Sequence, residues 1–317
     1  MEQPDISVII ATCNHAAVLP MCLQHLENQE YPASRFEVVV ADAGSSDGTL
    51  DLAARYADGS AIRVAAVEVE NSRGLVGALN AAVALARGRL LLMLSPGLLA
   101  GPTLLARHME VYTGHGVARA ALGRVQMHPQ AELTPFTAWY GRFSSPVEGH
   151  DPPGFLDWQA INLSLPRNTF VGAGGFDEAF AFPAFHACEL GWRLARSGVE
   201  AVHQPAAQTY RWQELSLDEA LFLQYTHGYC LHHLVERTHD IAVLHRFTVC
   251  RKPLRALADR AFMPLYLRMC RDSAGETRML GTVLRRTMRH FFLQGYADAQ
   301  AGRPATPPAS VATFPTA

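Results

Sequence analysis

The segment VVVADAGSSDGT (38–49) joins an apolar, β-branched run to Asp42, a turn through Gly44 and the helix-starting pair Ser46-Asp47. A carboxylate just past the end of a buried strand faces the crevice where open α/β sheets bind ligands, and there it can accept hydrogen bonds from a ribose hydroxyl or a base N–H. The same residues also fit a purely local role, an Asx turn followed by a helix N-cap. A second group of side chains with ligating chemistry, His227, His232, His233 and His239, falls in one helical stretch. A regular helix cannot turn both His232 and His233 onto one metal ion, so a solvated or partner-facing helix face is the simpler reading. The six cysteines (Cys13, Cys22, Cys188, Cys230, Cys250, Cys270) have no C-x-x-C and no short metal-ligand spacing, and they read as reduced thiols.

Positioning Asp42 is the task of the surrounding elements. ISVIIA (6–11), FEVVVA (36–41), IRVAAV (62–67) and LLLML (90–94) read as strands, and the helical patterns at 16–28, 46–56 and 75–86 alternate with them. This alternation with short connections predicts an α/β fold whose mostly parallel sheet is flanked by helices. Further strands are expected at 118–127, 158–166 and 199–202, with a helix near 188–197. From Ser216, which forms a capping box with Glu219, the pattern is helical to about Ala301, and a Pro-rich, disordered tail follows from Gly302.

With SVIIATCNH (7–15), ENSRGLVGALNAAVALARG (70–88) and NLSLPRNTFVGAGGFDEAF…CELGWRLARSG (162–198) alongside the Asp42 segment, the chain resembles the family-two inverting glycosyltransferases of GT-A fold over roughly residues 5–212. The resemblance implies a Rossmann-like GT-A domain over 1–212, a helical extension over 213–301 and the tail at 302–317. It implies a nucleotide-diphosphate-sugar pocket made by Ala11, Thr12, Asn14, Asp42, Asn71, Gly74 and Asn80, with Ser95 beside it and GGFDE (174–178) near the acceptor. The family often has two acids where this chain has Asp42-Ala43.

The departures from the family pattern share one chemistry. After the fourth strand the family carries a D-x-D that holds Mg²⁺ or Mn²⁺, and here Ser95-Pro96-Gly97 stands in its place. A neutral serine and a glycine make no charged oxygen cage for a hard cation, so no divalent metal cofactor is expected. The usual catalytic base aligns with Ala187 in His186-Ala187-Cys188-Glu189-Leu190, and the third metal ligand aligns with Arg211 in PAAQTYR (205–211). Two explanations compete. Either transfer is metal-independent, with Arg211 as a fixed cation at the diphosphate and Glu189 or His186 as base, or the fold is kept as a non-catalytic binding or scaffold subunit. Each residue also has a local reading: Glu189 as a first-turn helix acid, His186 as a loop histidine and Arg211 as a surface ion pair.

Composition narrows the partners. The 317 residues are 49% hydrophobic and 18% charged, with 27 Lys+Arg against 29 Asp+Glu, so bulk electrostatics gives no pull on nucleic acid. No signal peptide or spanning segment is visible, because the longest apolar stretch, 90–106, is interrupted by prolines and glycines. A cytoplasmic protein is therefore expected, and the resemblance implies a bacterial-type enzyme of polysaccharide or glycoconjugate synthesis acting on a glycan, lipid-linked or small-molecule acceptor and open to an oligomer or a transferase partner. The stretch 276–296 pairs Leu284, Met288 and Phe291 with Arg285, Arg286 and Arg289, a pattern suited to peripheral contact with an anionic cytoplasmic membrane or to packing in a core.

Overall fold

The computed structural model describes residues 3–69, 74–113, 118–131, 152–180, 182–212, 216–247, 253–272 and 278–305. Strands β1 (Ile6–Thr12), β2 (Phe36–Asp42) and β4 (Leu90–Leu94) are buried at every position, as nearly continuous apolar runs must be when both sheet faces are covered. Ile6, Val8 and Ile10, with Val38, Val40, Leu92 and Leu94, meet Leu19, Leu23 and Leu26 of helix α1 (Leu19–Glu27) in one core. The buried residues of α3 (Gly74–Leu85) lie outside that core, and the helix packs on β1 and β2 from the other face.

Among the described residues eight strands form one sheet, in the order β3-β2-β1-β4-β7-β6-β8-β5. The remaining strands are β3 (Arg63–Glu68), β5 (Leu98–Ala100), β6 (Arg119–Met127), β7 (Asn162–Pro166) and β8 (Glu200–Arg211). Pairing is parallel from β3 through β2 and β1 to β4 and again between β6 and β8, and antiparallel for β4 with β7, β7 with β6 and β8 with β5. The sheet is therefore mixed. Helices α2 (Thr49–Gly59), α4 (Leu104–Glu110), α5 (Arg167–Gly172) and α6 (His186–Arg196) complete the first of two compact units, built from described residues up to Gln130-Ala131 and from 152 to 212.

Two differences from the expected elements have local causes. The last strand extends over twelve residues rather than the four of 199–202, because its register against β6 shifts between Gly123 and Arg124 and lets β8 continue past Pro205. The carbonyls loosened by that irregularity are satisfied from β7: the Asn162 amide donates to Ala207 O at 3.0 Å and to Arg124 O at 3.3 Å. The strand expected over 158–166 is confined to Asn162–Pro166, after a short 3₁₀ turn at Phe155–Asp157.

Asn162 also fixes a buried histidine. His108 on α4 is fully buried, with Nδ1 2.7 Å from Ser164 Oγ and Nε2 2.8 Å from Asn162 Oδ1. Because the Asn162 nitrogen is the group facing carbonyls, its oxygen must accept, so His108 carries its proton on Nε2 and accepts from Ser164 at Nδ1. Burial pushes the His108 pKa down to about 4.

The second unit, described from 216 to 305, contains α7 (Leu217–Thr238), α8 (Ile241–Arg246), α9 (Pro253–Asp272) and α10 (Arg278–Gln300). The Ser216 capping box is present: its side chain accepts from Glu219 N at 3.2 Å, and Glu219 accepts from Ser216 N at 2.7 Å. The apolar stripe of α10 lies inside this unit. Leu284, Met288 and Phe291 pack with Leu221 and Tyr225 of α7 and Met263 and Leu267 of α9. Of the two readings of the 276–296 pattern, its apolar side chains Leu284, Met288 and Phe291 take the packed one. The Pro-rich segment beyond Ala305 lies outside the described residues.

Helices α7 and α10 touch backbone to backbone at two glycines. A Cβ at Gly228 would overlap the Phe292 carbonyl, and one at Gly295 would overlap the Tyr225 carbonyl. Gly228→Ala is expected to force the helices apart and to destabilise this unit by about 1–3 kcal/mol, read as a lower denaturation midpoint. An unchanged midpoint would show that the two helices are free to separate.

Candidate active site

Parallel pairing of β2, β1 and β4 brings their carboxyl ends to one edge, with Thr12 in register with Asp42. Asp42 is almost wholly buried, and its Oδ1 accepts from Gly44 N at 2.9 Å and Ser45 N at 2.7 Å. The Ser45 hydroxyl donates to Oδ2 and accepts in turn from Asn14 N at 2.7 Å. Asn14, at φ 56° in the left-handed region, accepts from Ser46 N at 2.9 Å through Oδ1. Ala11, Thr12, Asn14 and Asp42 are thus brought together, and the Asx-turn role of Asp42 is real. Each carboxylate oxygen has more than one lone pair, so this turn leaves acceptor capacity for a ligand.

His15 and Asp47 complete the stitching of these loops. His15 N donates to Thr49 Oγ1 at 2.9 Å, and Asp47 accepts from Ala16 N at 2.9 Å. Burial lowers the His15 pKa against the opposing pull of Asp47, and burial together with Asp42 and Asp47 raises that of the Cys13 thiol. Cys13 is therefore a protonated thiol rather than a nucleophile.

A second group forms around the glycine-rich loop. Asn80, on α3, donates to Phe176 O at 2.9 Å and Glu178 Oε1 at 3.0 Å, while Phe176 N donates back to Asn80 Oδ1 at 3.0 Å. A Cβ at Gly175, where φ is 75°, would fall 2.9 Å from the Asn80 amide oxygen. Asn80 is thus a brace for the GGFDE loop. Gly74, at φ 68°, opens α3, and Asn71 lies outside the described residues.

The same loop is held from α6. Glu189 is buried, and both its carboxylate oxygens accept from Arg193, from Nε at 2.7 Å and Nη2 at 2.8 Å. The remaining guanidinium donors reach Ala173 O and, at 2.7 Å, Gly175 O. An i,i+4 acid–arginine pair is visible in the sequence, but the two loop carbonyls that Arg193 also holds are not. His186 begins α6 after Phe185, whose φ is 60°. Its ring meets Phe176 edge to face at 4.7 Å, it is 4% exposed, and neither ring nitrogen has a hydrogen-bond partner. Burial pushes its pKa down to about 4, so the imidazole is neutral at physiological pH.

The third group surrounds the turn after β4. Ser95 N donates to Ile161 O at 3.2 Å, Leu98 N closes the turn on Ser95 O at 3.1 Å, and Leu98 then pairs with Arg211. Arg211 also stands in register with Met127, and its carbonyl accepts from His128 N at 2.9 Å. His128 packs edge to face on the partly exposed Trp212 at 4.7 Å, an aromatic pair without a sequence signature because 84 residues of chain separate the two. Among the described residues, no group of three or more His, Cys, Asp or Glu side chains could hold a metal ion.

Residues 7–180, more than half of the sequence, match glycosyl transferase family 2. The chain belongs to that family. It is 31% identical over 222 residues to validoxylamine A glucosyltransferase of Streptomyces hygroscopicus subsp. jinggangensis, a match covering 62% of this chain and 52% of the relative. It is also 40% identical over 94 residues to a PGL/p-HBAD biosynthesis glycosyltransferase of Mycobacterium bovis, covering 30% of this chain and 36% of that one. The chain thus spans about half the length, or less, of these curated relatives. Among solved structures it resembles the mannosyltransferase PcManGT of Pyrobaculum calidifontis in complex with GDP-Man and Mn²⁺, with a TM-score of 0.60 at 17% identity over 96% of this chain and 89% of the other. Staphylococcus aureus TarS 1-349 in complex with UDP gives a TM-score of 0.51 at 14% identity, over 94% and 92%. These likenesses establish a GT-A-like fold. No helix among the described residues is long and apolar enough to cross a membrane.

Proposed function

We propose that the chain transfers a sugar from a nucleoside-diphosphate-sugar to an acceptor hydroxyl with inversion and without a divalent cation. The observation that carries the metal-free part is the β5–β8 register, in which Arg211 pairs with Leu98 directly after Ser95-Pro96-Gly97. A guanidinium there supplies permanent positive charge and planar donors suited to phosphate oxygens. Ala11, Thr12, Asn14 and Asp42 hold the nucleoside, and Gly74 and Ser95 line the diphosphate-sugar. The acceptor oxygen attacks the anomeric carbon, the bond from that carbon to the diphosphate oxygen breaks, and its electron pair leaves with the nucleoside diphosphate beside Arg211.

His186, whose ring nitrogens have no hydrogen-bond partner, is the remaining candidate for the hydroxyl proton, although burial that holds its pKa at about 4 makes it a weak base in this conformation. Both oxygens of Glu189 accept from Arg193, so its part is to hold Arg193 against the glycine-rich loop. The names of the relatives include a glucosyltransferase for validoxylamine A, which keeps a small-molecule acceptor in view beside a glycan or lipid-linked one. Two observations favour a second reading as a non-catalytic, donor-binding subunit or transferase partner: His186 is sealed to 4% exposure, and Ala187 stands where the family's base aligns.

Nucleoside-diphosphate release from a panel of donor sugars, with Mn²⁺ and with EDTA, tests the proposal. Equal turnover in EDTA and Mn²⁺ is expected. Strict metal dependence overturns the metal-free mechanism, and donor-induced thermal stabilisation without turnover supports the binding subunit.

A further inference from the structure

We infer that the outward face of α9 docks on an anionic lipid surface. This inference is independent of the transfer reaction. Met263 and Leu267 turn one side of α9 into the core with Leu284, Met288 and Phe291 of α10. Phe262 and Leu265, one helical turn apart, are 53% and 52% exposed, and Pro264 and Arg268 beside them are exposed too. Phe262 stacks on Tyr266 at 6.3 Å, yet it and Leu265 leave about half of their surface to solvent, an apolar pair that suits an apolar medium outside the unit.

Charge selects that medium. Residues 251–289 contain ten Arg or Lys against three Asp or Glu, a net of +7, while the rest of the chain carries 17 against 26 and is net negative. Arg285 and Arg289 on α10 are exposed in the same unit. A second copy of the chain docking through the same segment would bring two net-positive segments together. A nucleic acid would answer the charge but would offer nothing to Phe262 and Leu265. A bilayer containing anionic lipid answers both: headgroups attract the basic residues across a Debye length, and the acyl boundary takes the two apolar side chains.

The test is co-sedimentation of the full chain with phosphatidylcholine vesicles, with and without 30% phosphatidylglycerol. Binding is expected only with the anionic lipid and is expected to weaken as salt rises. Phe262→Ser with Leu265→Ser should lower the partition coefficient at least tenfold with the melting temperature unchanged, and Arg285→Glu with Arg289→Glu should lower it as well. Should the double serine variant misfold, Phe262→Trp replaces it, and its added fluorescence should be quenched by brominated lipid. Equal binding to neutral vesicles, no binding, a double variant that binds like the parent chain, or an unquenched signal from the Phe262→Trp chain would each overturn the inference. So would a fall in solution mass on the double substitution, which would assign the face to self-association.

Discussion

Arg211→Ala is expected to lower turnover by about 100- to 1,000-fold, the cost of removing one preorganised charge-stabilising group from a group-transfer site. The argument begins with the backbone. Arg211 is held in register with Leu98 on one side and Met127 on the other, and its carbonyl accepts from His128 N. The Cα that carries the guanidinium is therefore fixed beside the turn where the family's acidic residues would grip a cation. The negative charge of a departing nucleoside diphosphate grows as the glycosidic bond breaks, so the loss should fall on kcat more than on donor affinity. Arg211→Lys should recover part of the rate, because it restores the charge but not the planar pair of donors. Steady-state rates in EDTA, with melting temperatures as the folding control, decide the matter. A variant as fast as the parent chain would remove Arg211 from the reaction.

What the sequence made legible follows from the range of each interaction. β1, β2 and β4 are dense in Val, Ile and Leu, and such runs identify themselves without reference to the rest of the chain. β8 does not, because Gln204, Pro205 and Gln208 break its pattern and its continuity depends on an amide from Asn162, more than 40 residues away. The same limit applies to α10. Its apolar stripe has the spacing of either a membrane-lying helix or a packed one, and the choice is made by Gly228 and Gly295, whose lack of side chains lets α7 close on it. At the site, the Asx turn at Asp42 was readable because all its partners are local. The bracing of GGFDE by Asn80 and Arg193 was not, since it joins three separate segments. Glu189 shows what such partners add: beside Ala187 it reads as a candidate base or a first-turn helix acid, and in the structure both its oxygens accept from Arg193.

Acid is expected to unfold the first unit well before its carboxylates titrate. His108 and His186 are both neutral when folded, with pKa values pushed down to about 4 by burial, against an ordinary value of 6.5. The unfolded chain therefore binds protons that the folded chain refuses. Stability is full above about pH 6.5, falls as pH drops from there toward 4, and is lost by about 3 kcal/mol for each histidine once both folded-state values are passed. Two such groups amount to a large part of an ordinary domain's stability. Urea denaturation from pH 8 to pH 4 measures the fall. The two histidines can be separated because they are built differently: His108 has a partner on each nitrogen, whereas His186 has none. His186→Phe thus removes a titrating group and two unsatisfied polar atoms without breaking a hydrogen bond. It should leave neutral-pH stability equal or higher and remove about half of the acid-dependent loss. The same variant should abolish turnover if His186 receives the acceptor's proton. A stable, acid-resistant His186→Phe chain that still transfers sugar would show that this imidazole is a core residue and that the proton leaves by another route.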